Sequence, residues 1–204
     1  MAHEPGDPRV RRTHKLLQDA LIDLTAERGF DAITVGDIAQ RATVNRATFY
    51  RHYQDKYDLL EQIFREAMIQ FIGELGPPGT VALATDPQNP PERWVRFFAH
   101  FAEHERLYTP LLGQKGSAWF VARMRDQFVA MLDEREQRRA RLAAARGKKL
   151  SGKMPRQVAL TLASNLLMST LAWWLESGRP YSPAQMASWF LDIAINGYVR
   201  ALGL

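Results

Sequence analysis

The stretch from Thr34 to Lys56, TVGDIAQRATVNRATFYRHYQDK, sets two short helical patterns on either side of a tight turn. Thr34 is an N-cap, and Asp37 three residues later completes a capping-type pair. Val35, Ile38, Ala39 and Ala42 recur at helical spacing and give the first helix one apolar stripe. Thr43 and Val44 interrupt it, and Asn45 restarts the chain as the next N-cap. The second helix, Arg46 to Tyr53, turns Phe49 and Tyr53 inward at i and i+4. Arg46, Thr48, Tyr50, Arg51 and His52 are left outside or at the rim. So short a helix is not held by its own propensity, and its donor-rich face needs a use. A helix-turn-helix that lays its second helix in the major groove of DNA divides its residues in this way.

The same residues resemble the DNA-binding domain of the TetR family of bacterial transcriptional regulators. The likeness rests on Thr34, Ile38-Ala39, Ala42-Thr43-Val44, Ala47, Tyr50, Tyr53 and Lys56, with Gly29-Phe30 before them and Leu59-Leu60 after. It covers the first quarter to third of the chain. Thr43 and Ala47 depart from it, standing where that family often has glycine. Thr43 must then take a turn conformation that glycine adopts more easily.

A chain of 204 residues is long enough for one or two domains with a core of their own. It has no cysteine, which excludes disulfides, thiolate metal sites and cysteine nucleophiles and suits a reducing cytoplasm. No charged-then-apolar opening marks a secretory signal. Residues 158–175 carry no charge over nearly the length of a membrane span. Thr161, Ser164, Asn165, Ser169 and Thr170 interrupt them, so a helix buried on nearly all sides of a bundle is expected instead. The net charge of +5 suits a nucleic-acid partner but does not establish one. Asp19, Asp23, Glu27, Asp31 and Asp37 offset the basic residues of the first part, and the basic excess lies between Arg135 and Arg156.

Read in order, residues 1–8 form a polar arm, with Arg9, Arg11, Arg12 and Lys15 positioned to touch phosphates. A first helix runs from Val10 to Arg28 and stops at Gly29. After the helix-turn-helix, a fourth helix starts at Asp55 or Lys56 and keeps its apolar period to Leu75, and Lys56 near its start can meet a phosphate. Residues 76–91 are too rich in proline and glycine for a regular element. An aromatic helix carrying Trp94, Phe97, Phe98 and Phe101 ends before Pro110. Ser117 caps a helix bearing Phe120, Met124, Phe128, Met131 and Leu132, which frays beyond Arg139. A basic loop over 147–155 precedes a helix from Arg156 to Glu176, closed by Gly178. Ser182 and Pro183 open the last helix, which runs to about Ala201. The fold class is all-α, with no strand-like alternation: a helix-turn-helix domain over 1–58 and a larger helical ligand-binding and dimerisation domain over 59–204.

Thr43, Asn45, Arg46, Thr48 and Tyr50 carry the donors, acceptors or methyls that base edges need. Arg46 suits a guanine, and Arg51 suits either base or phosphate. His100 and His104 share a helix face at a spacing metals use, but no cysteine or third ligand accompanies them and a zinc hydrolase would want Glu where Phe101 stands. No metal or cofactor is expected. No nucleophile elbow, phosphate loop or dinucleotide fingerprint is present, so no catalytic residues are assigned.

The resemblance implies more. Tyr50, His52, Lys56 and the backbone at Thr34 would grip phosphates of a double-stranded operator. Helices of the second domain would enclose an unknown small-molecule effector, and the aromatic set Trp94, Phe97, Phe98, Phe101, Tyr108, Phe120, Met124, Phe128 and Trp173 suits a flat or greasy one. The last two long helices would pack in a homodimer, carrying two reading helices to successive major grooves of a palindromic operator, about 34–36 Å apart. The implied protein is a cytoplasmic, ligand-responsive repressor. An activator of the same family, or a small-molecule- or metal-binding protein without DNA activity, is the alternative.

Overall fold

The computed structural model describes residues 8–75, 90–145 and 155–196. Among them the chain forms nine helices: α1 (Pro8–Arg28), α2 (Val35–Arg41), α3 (Arg46–His52), α4 (Lys56–Leu75), α5 (Glu92–Glu103), α6 (Glu105–Leu112), α7 (Ala118–Ala145), α8 (Arg156–Glu176) and α9 (Pro183–Asn196). The all-α class is as the sequence led one to expect. The expected arm over 1–7, the Pro/Gly loop over 76–89, the basic loop over 146–154 and the chain end beyond 196 lie outside the described residues.

The chain divides into two compact units. The first holds residues up to Gly73 together with His104–Phe120, and the second holds Glu74–Glu103 and Val121 onward. The first unit thus extends to Gly73 and takes in α6. The physical reason lies in α6 itself. Arg106 reaches Asp19 at 3.2 Å and Asp23 at 3.0 Å on α1, and Tyr108, Leu111 and Leu112 are buried. At the start of α7, Phe120 packs edge-on against Phe64 of α4, with ring centroids 5.6 Å apart.

In the first unit, Pro8 occupies the first turn of α1, where a missing N–H costs no helical bond. Leu17, Ala20, Leu21, Ile22 and Leu24 form its buried stripe. Gly29 ends it at φ +84°, and the amide of Phe30 then donates to the Lys115 carbonyl at 3.1 Å. The core is completed by Ile38, Phe49, Leu59, Leu60, Ile63 and Phe71.

The second unit is built on aromatic contacts. Phe97 lies 5.1 Å from Phe101 and 5.5 Å from Phe128, and Phe98 lies 5.7 Å from Trp174. The aromatic helix expected to end just before Pro110 breaks earlier, at His104. Pro110 sits inside the short helix that follows. Ser117 caps α7 as expected, its hydroxyl accepting from the Phe120 amide at 3.3 Å, and the helix is described as far as Ala145, six residues beyond Arg139. Ser182 caps α9 in a reciprocal pair with Gln185.

One expectation for α8 needs correction. It buries Leu160, Ser164, Leu167, Met168, Leu171, Trp174 and Leu175 along one stripe while leaving Val158, Leu162 and Trp173 about half exposed. Among the described helices it is long and apolar enough to cross a membrane by length and composition. Its buried stripe makes it a core helix with one uncovered side.

Candidate nucleic-acid interface

The reading helix is positioned by two caps and a strained turn. Thr34 and Asp37 form a complete capping box on α2: the Asp37 amide donates to Thr34 Oγ1 at 3.2 Å, and the Thr34 amide donates to Asp37 Oδ2 at 2.9 Å. The Thr34 hydroxyl also donates to Asp37 Oδ2 at 2.6 Å, and this bond with that of the Thr34 amide holds the Asp37 carboxyl below the usual carboxylate range, with Arg28 adding to the effect. After Ala42 the chain reverses through Thr43 at φ +56°, the left-handed region where an L side chain is strained. The amides of Thr43 and Val44 close the turn on the carbonyls of Gln40 and Ala39. Asn45 then caps α3, its side-chain oxygen accepting from the Ala47 amide at 2.9 Å.

Phe49 and Tyr53 anchor α3 from below, both buried, with ring centroids 5.7 Å apart. That anchoring fixes which residues face out. Arg46, Ala47, Tyr50 and Arg51 are exposed, Thr48 and His52 are half-buried, and Thr34, Thr43 and Asn45 are exposed around the turn. The short Ala47 leaves the first turn of α3 uncluttered beside Arg46, so a backbone can approach it closely. Among the described residues neither Arg46 nor Arg51 makes an ion pair, and both guanidinium groups are available to a ligand.

The acids that offset the basic residues are used elsewhere. Glu27 takes both guanidinium nitrogens of Arg41 at 2.7 and 2.6 Å, and this pairing pulls its carboxyl below the ordinary range. Asp37 pairs with Arg28 at 3.3 Å, and Asp19 and Asp23 both pair with Arg106. The weakly basic composition of this unit thus hides an unneutralised positive face on α3.

Lys56 is placed differently from what its sequence position suggests. Its ammonium donates to the carbonyls of Phe30 at 3.0 Å, Asp31 at 3.2 Å and Ile33 at 2.9 Å, and it lies 4.6 Å over the Phe30 ring. All three donors are committed to the loop between α1 and α2, so a phosphate contact would have to displace one of them. Asp55, next to it, caps α4 by accepting from the amides of Tyr57 and Asp58.

Sequence reasoning passed over His14. It stands on α1, with Nδ1 3.0 Å from the Tyr53 hydroxyl and Nε2 3.3 Å from Nδ1 of His52. No local signal marks it, because its partners lie 38 and 39 residues away.

The candidate effector residues fall in both units. Tyr108 and Phe120 are buried in the first unit. In the second unit Phe97, Phe98, Phe101, Met124 and Phe128 are buried, and Trp94 joins them at 5.5 Å from Phe97. Trp173 stands apart, half exposed on the other side of α8 near Tyr181. It follows Leu171 by two residues, which turns it away from the buried stripe. Nδ1 of buried His100 meets Glu74 at 2.5 Å in the second unit, and Nε2 of His104 lies 3.1 Å from Gln70 in the first.

Among the described residues the chain is all-helical, with a capped helix-turn-helix whose second helix exposes two arginines. Residues 17–63 match the profile of bacterial regulatory proteins, tetR family. It is 42% identical over 64 residues to the uncharacterized HTH-type transcriptional regulator YdeS of Bacillus subtilis (strain 168), a match covering 31% of this chain and 32% of that protein. Over 203 residues it is 24% identical to the HTH-type transcriptional repressor KstR2 of Mycolicibacterium smegmatis (strain ATCC 700084 / mc(2)155), covering 98% of this chain and 96% of that one. A solved TetR transcriptional regulator from Streptococcus agalactiae 2603V shares the fold, with TM-score 0.66 and 22% identity over 91% of this chain and 95% of that one. The match to YdeS thus spans 32% of that protein's length, while the likeness in fold covers 91% of this chain.

Proposed function

We propose that the chain is a ligand-responsive repressor that binds a palindromic operator as a homodimer. The observation that carries the DNA-binding part is the exposed face of α3: Arg46, Thr48, Tyr50 and Arg51 held outward by buried Phe49 and Tyr53. On this reading Arg46 and Thr48 meet base edges, as do Thr43 and Asn45 at the turn. Tyr50, His52 and the start of α2 meet phosphates. Arg51 serves either. Repression is favoured by the full-length likeness to KstR2, whose name describes a repressor.

Pairing of two copies is supported by the uncovered side of α8 and α9. Trp173, Tyr181 and Trp189 are each between 41% and 51% exposed and in ring contact through Tyr181, and the two tryptophans border a groove of about 360 Å³ that Leu166, Met186 and Phe190 help to line. An apolar face of this kind calls for cover, and a second copy of the same helices supplies it with two-fold symmetry. The effector would bind among the aromatic residues of the second unit, and its class is an oily or aromatic molecule. By coupling to operator binding it would act as an inducer, with a typical coupling of roughly 1–3 kcal/mol. Such a regulator works in the cytoplasm.

The test is a titration of the purified chain against DNA flanking its own gene at two salt concentrations, with competitor DNA present. Competitor-resistant binding that weakens steeply with salt is the expected result. Failure to bind there, and failure to enrich any sequence from a random duplex pool, would refute the reading. Sedimentation should give a dimer that Trp189→Glu dissociates.

A further inference from the structure

The side of α1 that meets α4 changes character along its length. Arg11, Lys15, Gln18 and Ile22 follow one another at helical steps and so fall on one face. They line a groove of about 570 Å³ against α4, within the roughly 300–1,000 Å³ of small-molecule sites. All of its lining residues belong to the first unit. From α4, Ile63 and Ala67 face it one turn apart, and with Ile22 they are buried and give the groove an apolar floor. Leu107 of α6 borders it where the neighbouring Arg106 ties α6 to Asp19 and Asp23.

The two ends of the groove differ in charge. Arg11 and Lys15 are exposed, one turn apart, and among the described residues neither makes an ion pair. The acids along the groove are engaged. Asp19 accepts from Arg106 at 3.2 Å, and each Glu66 oxygen accepts a side-chain amide at 2.7 Å, one from Gln18 and one from Gln62. The uncompensated charge is therefore positive and sits at the end nearer the start of α1. Seven residues separate Lys15 from Ile22, a span of about 10 Å along the helix.

We infer that this groove binds a small organic acid with an apolar body. Its carboxylate sits on the Arg11 guanidinium, whose planar fork matches two oxygens, and on the Lys15 ammonium. Its body, about 10 Å long, lies over Ile63, Ala67 and Ile22 toward Leu107. An organic cation would meet two unneutralised cations before it reached Glu66, whose oxygens already accept. The site is separate from the aromatic residues of the second unit, and it stands whether or not α3 reads DNA.

The experiment titrates the purified full chain with octanoate, kept below micelle formation, and follows backbone amides by proton–nitrogen NMR with affinity from calorimetry. Shifts should centre on residues 11–22 and 62–70. Octylamine, of the same length and opposite charge, should leave them unmoved. The double variant Arg11→Gln, Lys15→Gln changes only exposed side chains, and it should weaken octanoate binding about tenfold, the scale of a lost charge-assisted hydrogen bond, with an unchanged far-ultraviolet spectrum. Absence of octanoate binding would overturn the inference. So would shifts centred in the second unit, equal affinity of the double variant, or octylamine binding at the same amides.

Discussion

Replacing Lys56 with methionine should unsettle the fold of the first unit before it affects DNA binding. Methionine keeps the length and the apolar stem but removes the ammonium from three carbonyls, those of Phe30, Asp31 and Ile33. It also removes the cation over the Phe30 ring at 4.6 Å. A hydrogen bond from a charged group is worth about 1.5–3 kcal/mol. The three are not additive, because one ammonium serves all of them and the Asp31 carbonyl, on the exposed side, regains water. A net loss of about 2–3 kcal/mol follows. For a chain of this size that corresponds to a fall in melting temperature of roughly 4–12 °C. Urea denaturation with fluorescence detection gives the stability, and operator titration against salt gives the number of phosphate contacts. The expected result is a lower denaturation midpoint with a salt slope within error of the wild type. A Lys56→Met protein of unchanged stability, whose salt slope falls by about one contact, would refute the reasoning and make Lys56 a phosphate ligand after all.

Three further outcomes follow from the same geometry. Thr43→Gly should stabilise the chain by about 0.5–1 kcal/mol, since relief of the left-handed residue outweighs the added chain entropy of glycine; a lower urea midpoint would contradict this. Asp37 has a carboxyl held below its usual range, so its contribution is complete above the unfolded value of about 3.9 and is lost as pH falls through its lower folded value. Asp37→Asn should accordingly show a flatter loss of stability between neutral pH and pH 3 than the wild type, measured by urea midpoints. Gly116→Ala would put a Cβ 2.3 Å from the Leu111 carbonyl oxygen, so the backbone must move, and the cost should exceed about 1 kcal/mol; a neutral result would mean that this turn relaxes freely.

What the sequence revealed was mostly local. Thr34 with Asp37, Asn45, and Ser182 before Pro183 announce their helices because the signals lie within three residues of each start. The inward Phe49 and Tyr53 were legible from period alone, and with them the outward face of α3. Features joined by distant residues were not. The carbonyls that hold Lys56 lie 23 to 26 residues away, and charge alone suggested a phosphate. Return of α6 to the first unit depends on Arg106 meeting acids more than 80 residues earlier. The break at His104 is hidden because apolar residues keep helical period across it. Between its end residues Arg156 and Glu176, helix α8 has no charge to mark its outer side, so Trp173 could not be told from a core residue until Trp174 took the buried place.

The central claim is that the exposed face of α3 reads DNA sequence. It is tested most directly by comparing Arg46→Ala with the wild type on the selected operator and on single-base variants of it. A bidentate arginine contributes about 1–3 kcal/mol to discrimination at its base pair, so the variant should lose roughly 5- to 150-fold of preference at one position in each half-site. Preference at the other positions should remain. Unchanged preference at every position would contradict the account, for the unpaired cation at the head of the reading helix would then be reading nothing.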